Sequence, residues 1–316
     1  MNRLFFKQFF IFIIKLAVAG GLFYWLIKND QIDFQSVADA SLSPLHVLGF
    51  SAVLGGGVVS AMRWGLLLRL QGLRFTKRIV IRWTLISNFF GLALPGLAGS
   101  ELARAYYMFK SAPHAKTAAL SSIFIDRILA MTSLMLMGFL AFLAVFLTSD
   151  HVDSSILFLG GTMGAVLISS VLGFFLITFN PVRRLIQTLI PGKYSELIEG
   201  IIAVYSRKKL VLLQSFGFSF IAHMLILSAF FFSAEILSTD VEWKELAVVM
   251  PLVMVSAALP ITPAGIGVGE TAAAFIFALF GIGNGATIML VARIWIVAVQ
   301  LLGGVIYLFH RHEEAA

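Results

Sequence analysis

Charged side chains set inside long apolar runs are the groups in this sequence best placed to do chemistry. Asp126 and Arg127 fall within the run Thr117–Leu147, and Arg293 falls within Gly285–Phe309. A charge at the centre of a membrane helix costs about 2.5–3.5 kcal/mol on insertion scales, so it is expected to face a partner or a cavity. Glu101 precedes Arg127 and Glu270 precedes Arg293 at similar intervals, which suits two glutamate–arginine pairs. Arg104 follows one turn after Glu101. Asp126 and Arg127 are neighbours on a helix and point in different directions, so they do not suit a pair. Two arginines entering from opposite faces toward one centre would suit an anionic group, because guanidinium grips phosphate in a fork. In the competing reading each arginine satisfies backbone carbonyls and holds the fold.

Weaker candidates accompany these. Arg63, beside Trp64, stands near the end of its apolar run and is expected to snorkel. His223 reads as a hydrogen-bonded structural histidine before it reads as a proton relay. Lys15 and Gln300 would either line a cavity or satisfy local backbone.

Two Pro/Gly-rich breaks lie close to the glutamates. The first carries Pro95, Gly96, Gly99 and Ser100, and the second Pro260, Thr262, Pro263, Gly265 and Gly267. A helix restarting after each break would present unpaired N–H groups at its positive end, a ready anion site. Ser100 could cap the first of these restarts.

The elements that must position these residues follow from composition. Hydrophobic residues make up 59% of the 316 and charged residues 12%, with a mean hydropathy of +0.96. A soluble domain carries about twice that charge. No stretch outside the apolar runs is long enough for a soluble domain, so residues 1–316 read as one membrane domain. Spans need about 20 apolar residues. Phe9–Ile27, Leu45–Leu68, Thr117–Leu147, Ser154–Thr178, Leu210–Leu237 and Gly285–Phe309 meet that length. Lys15 interrupts the first run, which continues past a usual signal-peptide core, so it is expected to be an uncleaved span.

Ile79 to Lys110 and Leu246 to Phe280 each consist of two short apolar arms around a break. Irregular backbone at membrane depth is tolerated where protein or a water-filled cavity covers it, so both are expected to be re-entrant helical hairpins. The expected fold is therefore an all-α integral membrane protein with six transmembrane helices and two re-entrant hairpins. Lys/Arg clusters after the second and fourth spans place those loops, and both termini, in the cytoplasm. Asp30, Asp33, Asp150, Asp153 and Asp240 then fall outside. The segment Val182–Ser206 mixes basic and apolar residues and is expected along the cytoplasmic membrane surface.

The two halves share a plan of span, span, hairpin, span. Ala93-Leu94-Pro95 matches Ala258-Leu259-Pro260, and Asp126-Arg127-Ile128 corresponds to Ala292-Arg293-Ile294. Three crossings per half is an odd number, so repeat 2, about residues 151–316, would be inverted relative to repeat 1, about 1–150. Inverted repeats with broken helices near the midplane are the architecture of secondary transporters.

Several classes are set aside. The net charge of +7 resides in short loops, which does not suit nucleic acid as a partner. Cysteine is absent, which removes thiolate chemistry and disulfides. No nucleotide, metal or catalytic Ser/His motif appears, so no metal, no cofactor and no enzymatic activity are expected.

The sequence resembles the flippase-like family named after the transmembrane region of lysylphosphatidylglycerol synthase. The likeness rests on Arg63-Trp64, on Leu94 to Tyr106, on Asp126-Arg127 and, most specifically, on Pro260 to Glu270, and it spans almost the whole chain. It implies movement of a lipid between leaflets, aminoacylated phosphatidylglycerol being the best-known cargo. It also implies that Arg127, Glu101, Glu270 and Arg293 are cavity residues. The family's aminoacyl-transferase domain is missing, which suggests a stand-alone member. The family's Gly-Gly and Asp at the first hairpin are replaced by Leu97-Ala98-Gly99-Ser100-Glu101, so cargo does not carry over.

The function expected is translocation of an anionic or modified phospholipid, or a polyprenyl-linked lipid, in the inner cell membrane. Membrane lipids are the expected partners, with a second copy of the chain or a lipid-modifying enzyme beside them. Alternatives are a membrane-embedded glycosyltransferase, or its accessory subunit, using a polyprenyl-phosphate donor, and an ion-coupled small-solute transporter.

Overall fold

The structure is a computed structural model that describes residues 2–93, 98–149, 153–178, 192 and 208–315. Among the described residues the chain is helical, with no strand. Helix α1 spans Asn2–Lys28 and the short α2 spans Phe34–Asp39, followed by α3 (Leu45–Leu70), α4 (Lys77–Ala93) and α5 (Ala98–Ser111). Next come α6 (Lys116–Thr148), α7 (Ser154–Thr178) and α8 (Lys209–Ile236). Then α9 (Trp243–Ala258), α10 (Val268–Ala278) and α11 (Gly285–Ala315) complete the order.

Local chemistry accounts for several of these boundaries. Gly72, at φ +81, ends α3, and the backbone N–H groups of Gly72 and Leu73 close onto Arg69 and Leu68, a glycine-terminated cap. At the start of α9 the Glu245 carboxylate accepts the Glu242 backbone N–H at 2.9 Å, half of a capping box. At the other end of α9, Leu259 turns to ψ 138, the extended conformation that a following proline imposes. Pro251 lies inside α9, and its ring fills the space that a side chain at Gly138 of α6 would occupy.

Among the described residues, four helical stretches are long and apolar enough to cross a membrane: Leu45–Leu70, Pro113–Thr148, Lys209–Ile236 and Gly285–Phe309. Ser154–Ser170 and Val268–Ala278 are shorter apolar helices. Large apolar side chains point outward along them, including Phe124, Phe158, Ile168 and Leu213. In water such a surface would drive association; here it suits lipid.

Helices α3 and α8 make the most extensive contact in the molecule. Around them α4 packs on α5 and α11, and α9 packs on α10 and α6. Helix α5 also packs on α6, and α10 on α11. Helices α4 and α11 approach closely, so that a Cβ at Gly303 would come within 2.1 Å of the Leu85 carbonyl oxygen. Small residues permit such contact between membrane helices, where no hydrophobic drive brings them together. In α9, Leu246, Val248, Val249 and Val253 are fully buried.

Candidate functional site

A cavity of about 350 Å³ opens in the middle of this arrangement, lined from α3, α4, α5, α6, α8, α9, α11 and the turn after α9. All four arginines singled out in the sequence line it: Arg63, Arg104, Arg127 and Arg293. A second cavity, of about 160 Å³ and reaching Arg69 and Lys77, shares no lining residue with it.

The first cluster is built on Asp126, which is fully buried. Arg63 grips it with two donors, Nε to Oδ1 at 2.6 Å and Nη2 to Oδ2 at 3.0 Å. Its third nitrogen donates to Ser219 Oγ at 3.0 Å. Arg104 adds a bond from Nη1 to Oδ2 at 3.2 Å and lies over the Trp64 ring, 5.1 Å from its centroid. The snorkelling expected of Arg63 is overturned: the side chain is buried because a carboxylate from α6 meets it inside. One carboxylate serves two guanidiniums here, and the buried Arg104 Nε has no hydrogen-bond partner.

Arg127 points elsewhere, as its position beside Asp126 requires. It forms an ion pair with Glu101, Nε to Oε1 at 2.6 Å, without the alignment of a hydrogen bond. Its Nη2 donates to Ser100 Oγ at 3.3 Å, a long contact. Its side chain is 25% exposed and that of Glu101 34%, against 4–9% for the other three arginines. Of the four, Arg127 is the open one.

Arg293 is the opposite case. It holds Glu270 through Nε and Nη2, and donates from Nη1 to Ala264 O at 3.0 Å and from Nη2 to Gly265 O at 3.1 Å. Glu270, fully buried, also accepts the Gly267 backbone N–H at 2.8 Å. This tie fixes a turn with positive φ at Ala264, Gly265 and Gly267. Gly265 is doubly constrained, since a Cβ there would lie 2.1 Å from the Ala257 carbonyl oxygen. Lys15 of α1 reaches the same turn, donating to Pro260 O at 2.7 Å. Thr262 and Pro263 are buried within it.

The two expected glutamate–arginine pairs are thus both present in geometry, but they differ in kind. Arg293 satisfies two carbonyls of the turn after α9 and pins it, while Arg127 stands partly exposed at the cavity wall. Ser100 is buried and lines the cavity, and Gly99 is buried beside it. Pro95 and Gly96 lie outside the described residues, as does Val182–Ser206 apart from Gly192. His223 lines the cavity and bonds the Ala130 carbonyl at 2.9 Å. Gln300 lines it too, with Oε1 buried and unpartnered.

Sequence reading missed Ser60, Thr84 and Asn88, which also line the cavity. The signal was there. Gly56, Ser60 and Arg63 on α3, and Thr84, Asn88 and Gly91 on α4, recur at the spacing of one helix face. Around the cavity four arginines face the carboxylates of Asp126, Glu101 and Glu270, leaving one positive charge in excess. Among the described residues no group of three His, Asp or Glu could hold a metal ion.

The family model for the lysylphosphatidylglycerol synthase TM region matches residues 12–304. No curated protein and no solved structure matches the chain. A match running from within α1 nearly to the end of α11 covers the cavity and every charge in its wall, and by it this multi-pass membrane protein belongs to the lysylphosphatidylglycerol synthase TM region family.

Proposed function

We propose that the protein moves a phospholipid with an anionic headgroup between membrane leaflets, and that the central cavity is where the headgroup passes. The observation carrying this reading is a cavity wall with one positive charge in excess and two arginines whose pairing is incomplete. Arg104 Nε has no hydrogen-bond partner, and Arg127 pairs with Glu101 while both side chains stay partly exposed. A phosphate meeting Arg104 Nε and the exposed edge of Arg127 would balance the one positive charge in excess, with Glu101 kept on Arg127. Membership of a lipid-related membrane family supports lipid over a small solute as cargo.

The architecture we propose is six crossings with two re-entrant hairpins, α4–α5 and α9–α10, in two inverted repeats. The recurring pairings support it, with α4 on α5 and α11 answered by α9 on α10 and α6 about a central α3–α8 pair. Both termini are assigned to the cytoplasm and the protein to the inner cell membrane, from the Lys/Arg bias of the loops. The activity is transport without covalent chemistry. A second copy of the chain or a lipid-modifying enzyme is the partner class that such an activity calls for.

A membrane-embedded glycosyltransferase, the alternative reading, would draw on Asp30 and Asp33 of the loop after α1, and one of these is engaged in local structure. Asp33 accepts the hydroxyl and the backbone N–H of Ser36. These bonds, the hydroxyl's first, hold its carboxyl below the usual carboxylate range. Asp33 is thus occupied in starting α2.

The test is leaflet exchange in liposomes. Purified protein is reconstituted with a tail-labelled anionic phospholipid, and the label in the outer leaflet is quenched by an impermeant reductant. The proposal expects quenching to continue beyond the outer-leaflet fraction at a rate set by protein content. A plateau equal to that of empty vesicles, for every headgroup tried, would count decisively against it.

A further inference from the structure

The translocator reading leaves open which headgroup the cavity takes, and the inference below rests on that reading. Carboxylates available to the cavity are few and already engaged. Asp126 is the one carboxylate among its described lining residues, and both its oxygens are taken by Arg63 and Arg104. Glu101 and Glu270 are held by Arg127 and Arg293. Among the described residues, an ammonium group entering the cavity would meet one positive charge in excess and no carboxylate free of an arginine. Like charges brought together in this way are strongly disfavoured.

Uncharged polar groups continue beyond the arginines. Ser100 sits against Gly91 of α4, where an added Cβ would lie 3.6 Å from the serine Cβ. Asn88 and Thr84 occupy the same face of α4, so the polar stripe extends about 10 Å from Ser100. Thr84 is fully buried and donates its hydroxyl to Val80 O at 2.8 Å, which leaves its oxygen able to accept. Gln300 of α11 contributes a buried, unpartnered Oε1 to the same cavity. A buried polar atom left without a partner is costly, and an incoming hydroxyl would satisfy this one.

We propose that the cavity selects a net-anionic phosphodiester lipid whose headgroup is uncharged and hydroxylated. The phosphate lies at Arg104, Arg127 and Ser100, and the hydroxyls are read by Asn88, Thr84 and Gln300. Ammonium-bearing headgroups, aminoacylated phosphatidylglycerol among them, are excluded by the same wall. The geometry thus assigns this chain a cargo of opposite net charge to the one its family likeness first suggests.

Exchange in liposomes of tail-labelled phosphatidylglycerol, phosphatidylmethanol and lysyl-phosphatidylglycerol separates the elements of the claim. The native protein should move phosphatidylglycerol about tenfold or more faster than the lysylated lipid, given the cost of facing like charges. It should also move phosphatidylglycerol several-fold faster than phosphatidylmethanol, which has the phosphodiester but no headgroup hydroxyl. In the Asn88→Leu/Gln300→Leu variant that second preference should vanish while phosphatidylmethanol exchange persists, which also shows that the variant is folded. Lysylated lipid moving as fast as phosphatidylglycerol overturns the charge assignment. Equal rates for phosphatidylglycerol and phosphatidylmethanol in the native protein, or a preference that survives in the variant, overturn the hydroxyl assignment. Failure of all three lipids to exchange contradicts the translocator reading itself, a result distinct from the other two.

Discussion

Arg127 and Arg293 looked equivalent in the sequence, each trailing a glutamate, and their environments separate them. Arg293 donates to Glu270 and to two carbonyls of a turn with positive φ, so Arg293→Leu strands a buried carboxylate. Breaking such a pair costs about 3–5 kcal/mol, and the expected outcome is a large fall in thermal stability in detergent. Arg127→Leu should leave stability nearly unchanged, because its pair with Glu101 is partly exposed and such pairs contribute about 0–1 kcal/mol. Pairing itself was legible from the matched intervals. The Arg63–Asp126 bond was not, because it joins α3 to α6 across the core and nothing in local spacing records that. Arg104 and Asp126 were visible as buried charges, yet their sharing of one site with Arg63 required the tertiary packing.

Helices were the most legible part of the fold. Ser154–Thr178 is α7 itself, and Leu45–Leu68 and Leu210–Leu237 differ from α3 and α8 by two residues or fewer at either end. Long apolar runs leave a helix as the only way to satisfy the backbone in lipid, which is why composition alone finds them. The break between α9 and α10 and its Glu270–Arg293 pair were legible too, but not the closure of the turn, with positive φ at Ala264, Gly265 and Gly267 and Arg293 donating to the carbonyls of Ala264 and Gly265. Gly265→Ala is expected to destabilise by at least about 1–3 kcal/mol, the usual cost of overpacking, with positive φ adding strain. Loss of the native melting transition, or its shift to lower temperature, checks this. A Gly303→Leu change should separate α4 from α11 for the same steric reason and would be read as weakened crosslinking between cysteines placed on the two helices.

Across the whole molecule, the proposed inverted arrangement with both termini inside draws on the pairing of helices about α3 and α8 and on the loop charges. The cysteine-free sequence makes this directly testable. A cysteine placed at Asp30 should react with an impermeant maleimide in intact cells, and one at Arg78 only after permeabilisation. Labelling of both from outside would overturn the assigned topology. The central claim concerns the open arginine at the cavity wall, and it is met most directly by comparing native protein with Arg127→Leu in the liposome exchange of an anionic phospholipid. Losing a charged partner for the phosphate costs about 2–5 kcal/mol, so the rate should fall by about thirtyfold or more while the melting temperature stays within a few degrees. Native-like exchange by a folded Arg127→Leu protein would contradict the account.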